Sequence, residues 1–129
     1  DVKILLDAYN SGPNNTAWWL NTLRLINQQM GGNFDLAQFT TDSIYRPDRV
    51  LDYNLKSLTR QEIRIPAADV SFTLEEGERI RIGVGRKFAQ ADIEMFAERS
   101  GLVLTNQWKD EKQYYALCEF RKAPDAPTA

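Results

Sequence analysis

Residues 51–85 read LDYNLKSLTRQEIRIPAADVSFTLEEGERIRIGVG, and apolar side chains recur through them at every second position. Leu51, Tyr53 and Leu55 alternate with Asp52 and Asn54; Ile63 and Ile65 alternate with Glu62 and Arg64. Val70, Phe72 and Leu74 alternate with Ser71 and Thr73, and Ile80, Ile82 and Val84 alternate with Arg79, Arg81, Gly83 and Gly85. A period of two places one face of a strand on a core and the other in solvent. Short polar connections such as Glu75-Glu76-Gly77 favour antiparallel neighbours. Pro66 belongs at a strand end, because it cannot donate to a ladder.

Outside this block the period lengthens. Val2, Leu5, Leu6 and Tyr9 share one face of a helix over residues 2–10. Residues 10–15, Asn-Ser-Gly-Pro-Asn-Asn, read as a loop. Thr16 is a candidate N-cap for a second helix carrying Trp19, Leu23, Ile26 and Met30, which Gly31-Gly32 ends. Asp35 caps a further short turn, Leu36–Phe39. Toward the C-terminus, Ile93, Phe96 and Ala97 mark a helix that stops at Gly101. Leu102–Trp108 and Tyr114–Phe120 are strands joined by a polar turn, and residues 123–129 form a frayed tail. The fold class expected is α+β, a mainly antiparallel sheet with helices on one side.

Composition narrows the chemistry. The 129 residues carry 16 basic and 18 acidic side chains, a balance that argues against a nucleic-acid surface. No apolar run approaches the roughly 18 residues of a membrane span. Histidine is absent, which removes imidazole bases and ligands, and the single cysteine, Cys118, excludes an intrachain disulfide or a cysteine zinc cage. A lone cysteine without a signal peptide fits a reducing cytoplasm. No self-sufficient catalytic motif is present: Gly83-Val84-Gly85 lacks the third glycine of a dinucleotide fingerprint. Arg79, Arg81, Arg86 and Lys87 read as a solvated strand face beside Glu62 and Arg64, with an anion contact as the alternative. Tyr9 stands beside a polar loop, either as a boundary tyrosine or as a ligand for substrate.

The order of short motifs adds to this. Ala8-Tyr9-Asn10, Thr16-Ala17-Trp18-Trp19-Leu20-Asn21, Arg24-Leu25-Ile26-Asn27, Asn33-Phe34-Asp35-Leu36-Ala37-Gln38-Phe39, Gly77-Glu78-Arg79-Ile80 and Arg86-Lys87-Phe88 follow one another. As an ordered set they resemble the histidine-specific methyltransferase family of ergothioneine biosynthesis, from Asp1 to about Arg121. The resemblance implies an S-adenosylmethionine-dependent N-methyltransferase acting on the α-amine of an amino acid such as histidine, or on a related amine. It implies a substrate-recognition α+β lobe over residues 1–88. Residues 89–122 would be the closing helix and β-hairpin of a class I, Rossmann-like methyltransferase lobe. The cofactor-binding half would precede Asp1, so S-adenosylmethionine is expected in the full-length parent and no cofactor in this chain alone. Edge strands left without that half imply self-association.

The same resemblance implies the site. Tyr9 would hold the amino-acid carboxylate, and Tyr53 would shape the pocket. The family's imidazole-binding Glu and Ser fall on Gly83 and Gly85. Alternation places both glycines opposite Ile82 and Val84, off the core, where they leave room for something larger than histidine. A site without those polar groups loses its hydrogen bonds to an imidazole. A second reading of another class stays open: a non-catalytic binding or interaction domain whose ligand site has decayed.

Overall fold

The computed structural model describes residues 1–124, and the last part of the expected tail, 125–129, lies outside them. The chain divides into two compact units, Asp1–Lys87 and Phe88–Ala129. The fold class is α+β, with three helices and antiparallel strand pairs among the described residues.

The first unit opens with α1 (Val2–Asn10) and α2 (Pro13–Met30). The expected loop shrinks to Ser11-Gly12, and α2 starts three residues before Thr16. Proline at the first helical position has no N–H to leave unpaired, and Gly12 makes the turn at φ 91°. The Asn15 amide donates to the carbonyls of Ala8 and Ser11 at 2.8 and 2.7 Å, so an asparagine that reads as loop stabilises the end of α1 from inside α2. Gly31 ends α2 at φ 70°, the left-handed conformation expected of it. Asp35 caps a 3-10 turn at Leu36–Gln38, again as expected.

Next come β1 (Phe39–Thr41), β2 (Ile44–Tyr45), β3 (Val50–Ser57), β4 (Gln61–Ile65), β5 (Val70–Leu74) and β6 (Arg79–Arg86). The central strand is β3. Along one edge it pairs with β6 over Val50–Lys56. Along the other it pairs with β1 near Leu55–Ser57 and with β2 at Leu51–Asp52. Strands β1 and β2, too short to show a period, are thus one broken strand interrupted at Asp42-Ser43. Ser43 is only 4% exposed, and its peptide groups need partners there. Asn10, the last residue of α1, supplies them: its amide donates to Ser43 O at 3.1 Å and accepts from Ser43 N at 2.6 Å. Asn27 does the same for Phe34, and Asn33 bridges Glu62 O and Arg64 N. A side-chain amide has one donor and one acceptor side, so it can stand in for a peptide where a ladder breaks.

Strands β4 and β5 form their own hairpin, Gln61↔Leu74 to Ile65↔Val70, with Pro66 opening the turn. Two expectations fail here. The Glu75–Glu78 connection leads β5 to a strand it does not pair with, and the β6 cations do not face Glu62 and Arg64. Arg79 instead meets Asp42 at 2.7 Å, and Arg81 lies 3.9 Å from Asp52. In both pairs the guanidinium is exposed and solvent screens it, so their energetic weight is small. The core is Leu23, Phe34, Phe39, Leu55, Ile63 and Leu74, with Trp19, Ile80 and Ile82 packed against it.

The alternation of β6 is also broken. Tyr53 pairs with Gly83 but Asn54 pairs with Arg81, so Ile82 is an extra residue in a β-bulge. Beyond the bulge the faces exchange. Val84 turns outward, 58% exposed, while Gly83 and Gly85 come opposite Tyr53 and Leu51 on the face that carries Leu55. The glycines therefore lie on the helix-covered face and not on the one assigned to them by unbroken alternation.

The second unit contains α3 (Gln90–Arg99), β7 (Leu102–Lys109) and β8 (Ala116–Lys122). Gly101 at φ 64° follows α3, and β7 and β8 are antiparallel. The last strand starts two residues later than expected. The Asp110 carboxylate accepts from the N–H groups of Lys112 and Tyr115 at 3.1 and 2.7 Å and holds that segment in the turn. Among the described residues of this unit only Asp92 and Ala97 are buried, while Phe88, Phe96, Val103, Trp108 and Leu117 are exposed. One helix on a two-stranded sheet has too little surface to enclose them.

The bulge makes a testable distinction between two residues of similar type. Leu55→Ala, at a position 0% exposed, should cost about 2–5 kcal/mol. Val84→Ala should cost less than about 1 kcal/mol. Urea unfolding of both variants decides it, and equal losses would mean that alternation runs through β6 without a bulge.

Candidate functional site

Three aromatic rings from three elements meet on the inner face of the first unit. Tyr53 rises from the middle of β3, Tyr9 comes from the last turn of α1, and Trp19 from the second turn of α2. The Tyr53 ring lies 5.2 Å from that of Tyr9 at 29° and 4.7 Å from that of Trp19 at 20°, both stacked. Such pairs contribute about 0.5–1.5 kcal/mol each beyond area burial. The Asn10–Ser43 bonds fix the end of α1 on the sheet, and Tyr9 is the neighbouring residue.

The Tyr53 ring lies directly over the two glycines. A Cβ on Gly85 would come within 2.0 Å of Tyr53 Oη and 2.8 Å of Cζ, and one on Gly83 within 3.3 Å of Cδ2. Real carbon atoms do not approach within 3.0 Å, so a side chain at 85 requires the ring to move, while one at 83 needs a shift of a few tenths of an ångström. The ring is stacked on two others and resists that movement. The space above Gly83 and Gly85 is thus occupied by Tyr53, and is not the open room that their small size suggests.

At the edge of the stack a fourth residue joins. Lys87 follows β6, and its N–H is bonded to Arg49 O at 2.8 Å. Its ammonium donates to Tyr9 Oη at 2.6 Å. The same nitrogen is 4.5 Å from the Tyr9 ring centroid, but the charge-assisted hydrogen bond is the stronger of the two contacts. The Tyr53 hydroxyl also bonds to that of Tyr9. The Lys87 hydrogen bond outweighs burial and holds the Tyr9 hydroxyl below the usual tyrosine range. Burial, and after it the bond to Tyr9, push Tyr53 up to about 12. Lys87 has only protons to give, so Tyr9 Oη accepts that bond, and a neutral Tyr9 still carries one O–H.

All four residues singled out from the sequence, Tyr9, Tyr53, Gly83 and Gly85, come together here. Trp19 packs against the core, as its place on the helix predicts, and also stacks on Tyr53; Lys87 reads from the sequence as a strand-face charge, and its place beside Tyr9 does not show there. The signal for Lys87 was parity: 83, 85 and 87 are alternate positions of one extended segment. The described residues hold no cluster of acidic or cysteine side chains able to bind a metal ion. None of their helices is long and apolar enough to cross a membrane.

Comparison with known proteins gives two findings. The sequence model of a family described as histidine-specific methyltransferase, SAM-dependent, matches residues 1–122. A histidine N-alpha-methyltransferase from Mycolicibacterium smegmatis is 27% identical over 119 residues, which make up 91% of this chain and 37% of that protein. The chain thus spans little more than a third of the curated relative it matches.

The ring and the glycines should behave as one unit. Gly85→Ala alone should cost about 1–3 kcal/mol through overpacking. In a Tyr53→Leu background the same change should cost less than about 1 kcal/mol, a coupling measurable by a double-mutant cycle. Additive losses would show that the ring does not press on Gly85.

Proposed function

Because the chain belongs to the histidine-specific, S-adenosylmethionine-dependent methyltransferase family, we propose that its first unit, Asp1–Lys87, holds the acceptor of an N-methyltransferase. The acceptor is the α-amine of an amino acid. Tyr9 binds the carboxylate through its free O–H, and the stacked rings of Tyr9 and Tyr53 form the wall beside the substrate. The observation that carries this reading is the Tyr9 hydroxyl at the edge of the aromatic stack, which accepts from Lys87 at 2.6 Å and still carries an O–H.

The side-chain preference follows from Tyr53. Recognition of an imidazole needs a hydrogen-bonding partner, and Gly83 and Gly85 supply none. Where those partners would stand there is a ring. We therefore propose an acceptor with an apolar or aromatic side chain in preference to histidine. Ring faces also favour the cationic, methylated nitrogen of the product, by about 0.5–2 kcal/mol each. The contribution of this unit to rate is placement of the amine and exclusion of water from around it.

The described residues do not fit the cofactor. A nucleotide-like group is usually held where a strand passes through a glycine turn into a helix N-terminus. No such turn exists among them: Gly12 joins two helices, and the Ala89 N–H that opens α3 is already bonded to Asp92 at 2.7 Å. We propose that S-adenosylmethionine is held by other parts of a longer protein. In that protein the second unit would be the closing helix and hairpin of the Rossmann-like lobe, which would cover its exposed apolar residues.

Steady-state methylation of an acceptor panel by the longer enzyme tests this. Phenylalanine should match or exceed histidine in kcat/KM, and phenethylamine, which lacks the carboxylate, should be at least about 10-fold poorer. Tyr9→Phe should raise KM for phenylalanine by a similar factor and leave phenethylamine unchanged. A clear preference for histidine would refute the side-chain assignment, and no transfer to any amine would favour a non-catalytic binding domain.

A further inference from the structure

Lys87 is a half-buried cation whose described partners are a hydroxyl and a ring. Several other cations in and beside this sheet have carboxylate partners: Arg46 has Asp48 and Asp52, Lys56 and Arg79 have Asp42, and Arg81 has Asp52. Among the described residues no ion pair involves Lys87. Partial burial removes water from an ammonium, and a phenol oxygen carries little of the charge needed to compensate. The position keeps a cation beside the residue already assigned to the carboxylate. It also leaves two of the three ammonium protons uncommitted by any described contact.

We infer that Lys87 is a substrate-binding, specificity-determining residue, its ammonium pairing with the substrate carboxylate while the Tyr9 hydroxyl donates to the same group. The inference rests on the carboxylate-holding reading of Tyr9 and adds to it the counter-charge. The geometry suits the task. The ammonium and the hydroxyl are 2.6 Å apart, close to the spacing of the two oxygens of a carboxylate, so each can meet one oxygen. Tyr53 adds rigidity, because its hydrogen bond to Tyr9 and its stacking on Trp19 fix the hydroxyl that Lys87 approaches. Lys87 also follows Gly83 and Gly85 on alternate positions, so the strand that accommodates the ring also delivers the charge.

The test compares an amino acid with its own carboxamide, which keeps the amine and side chain but loses the charge. In the longer enzyme, Lys87→Met should raise KM for the acid by about 10- to 100-fold and leave KM for the amide within about threefold. Lys87→Arg should recover most of the loss. Equal losses for acid and amide, or none for the acid, would overturn the assignment. Should Lys87→Met fold poorly, Lys87→Arg and Lys87→Gln keep the comparison, with the arginine variant alone expected to retain acid selectivity. Equilibrium binding of acid and amide, measured by calorimetry, separates this inference from methyl transfer. Acid-selective binding that depends on Lys87 in an enzyme that transfers no methyl group would support the charge site and refute the activity.

Discussion

The contact between the Tyr53 ring and the bare backbone of Gly85 is the constraint on which the site depends. The ring can lie against β6 only because position 85 lacks a Cβ, and Gly83 eases the same approach. There it stacks on both Trp19 and Tyr9, and joins α1 and α2 to the central strand. It also brings its hydroxyl to that of Tyr9, whose oxygen accepts from Lys87. A larger residue at 85 would displace the ring, and with it the geometry at Tyr9 and Lys87. The β-bulge at Ile82 has equal standing, since without it the glycines would face the opposite side of the sheet.

Much of the fold is legible in the sequence because its signals are local. The long strands carry their period of two in Leu51-Tyr53-Leu55 and Val70-Phe72-Leu74, and Gly31 and Gly101 stop the helices they follow. What is lost is non-local. A bulge is a property of two strands, so nothing in Arg79–Arg86 announces that Val84 turns outward. Strands β1 and β2 are stabilised by Asn10 from 33 residues away and are too short to show a pattern. The start of α2 is misread because Asn14 and Asn15 have loop propensity, which the bonds from Asn15 to α1 override.

The site was legible in part, and through resemblance more than through physics. Tyr9, Tyr53, Gly83 and Gly85 were named together because an ordered set of motifs carried them. Their relation to one another was not: two glycines beneath a tyrosine ring read as missing polar groups and not as a bed for it. Lys87 was hidden by its neighbours Arg79, Arg81 and Arg86, from which it differs only in facing inward. The second unit illustrates a different limit. Its helix and hairpin were read correctly as elements, yet their pattern does not announce that Phe96, Trp108 and Leu117 stay exposed.

A crystal structure of the longer enzyme with an amino acid bound is the most direct test of this account. It should show one carboxylate oxygen about 3 Å from Tyr9 Oη and the other about 3 Å from Lys87 Nζ, with the Tyr53 ring still lying on Gly83 and Gly85. A substrate side chain lodged against those glycines with Tyr53 swung aside, or a carboxylate bound away from Lys87, would contradict it.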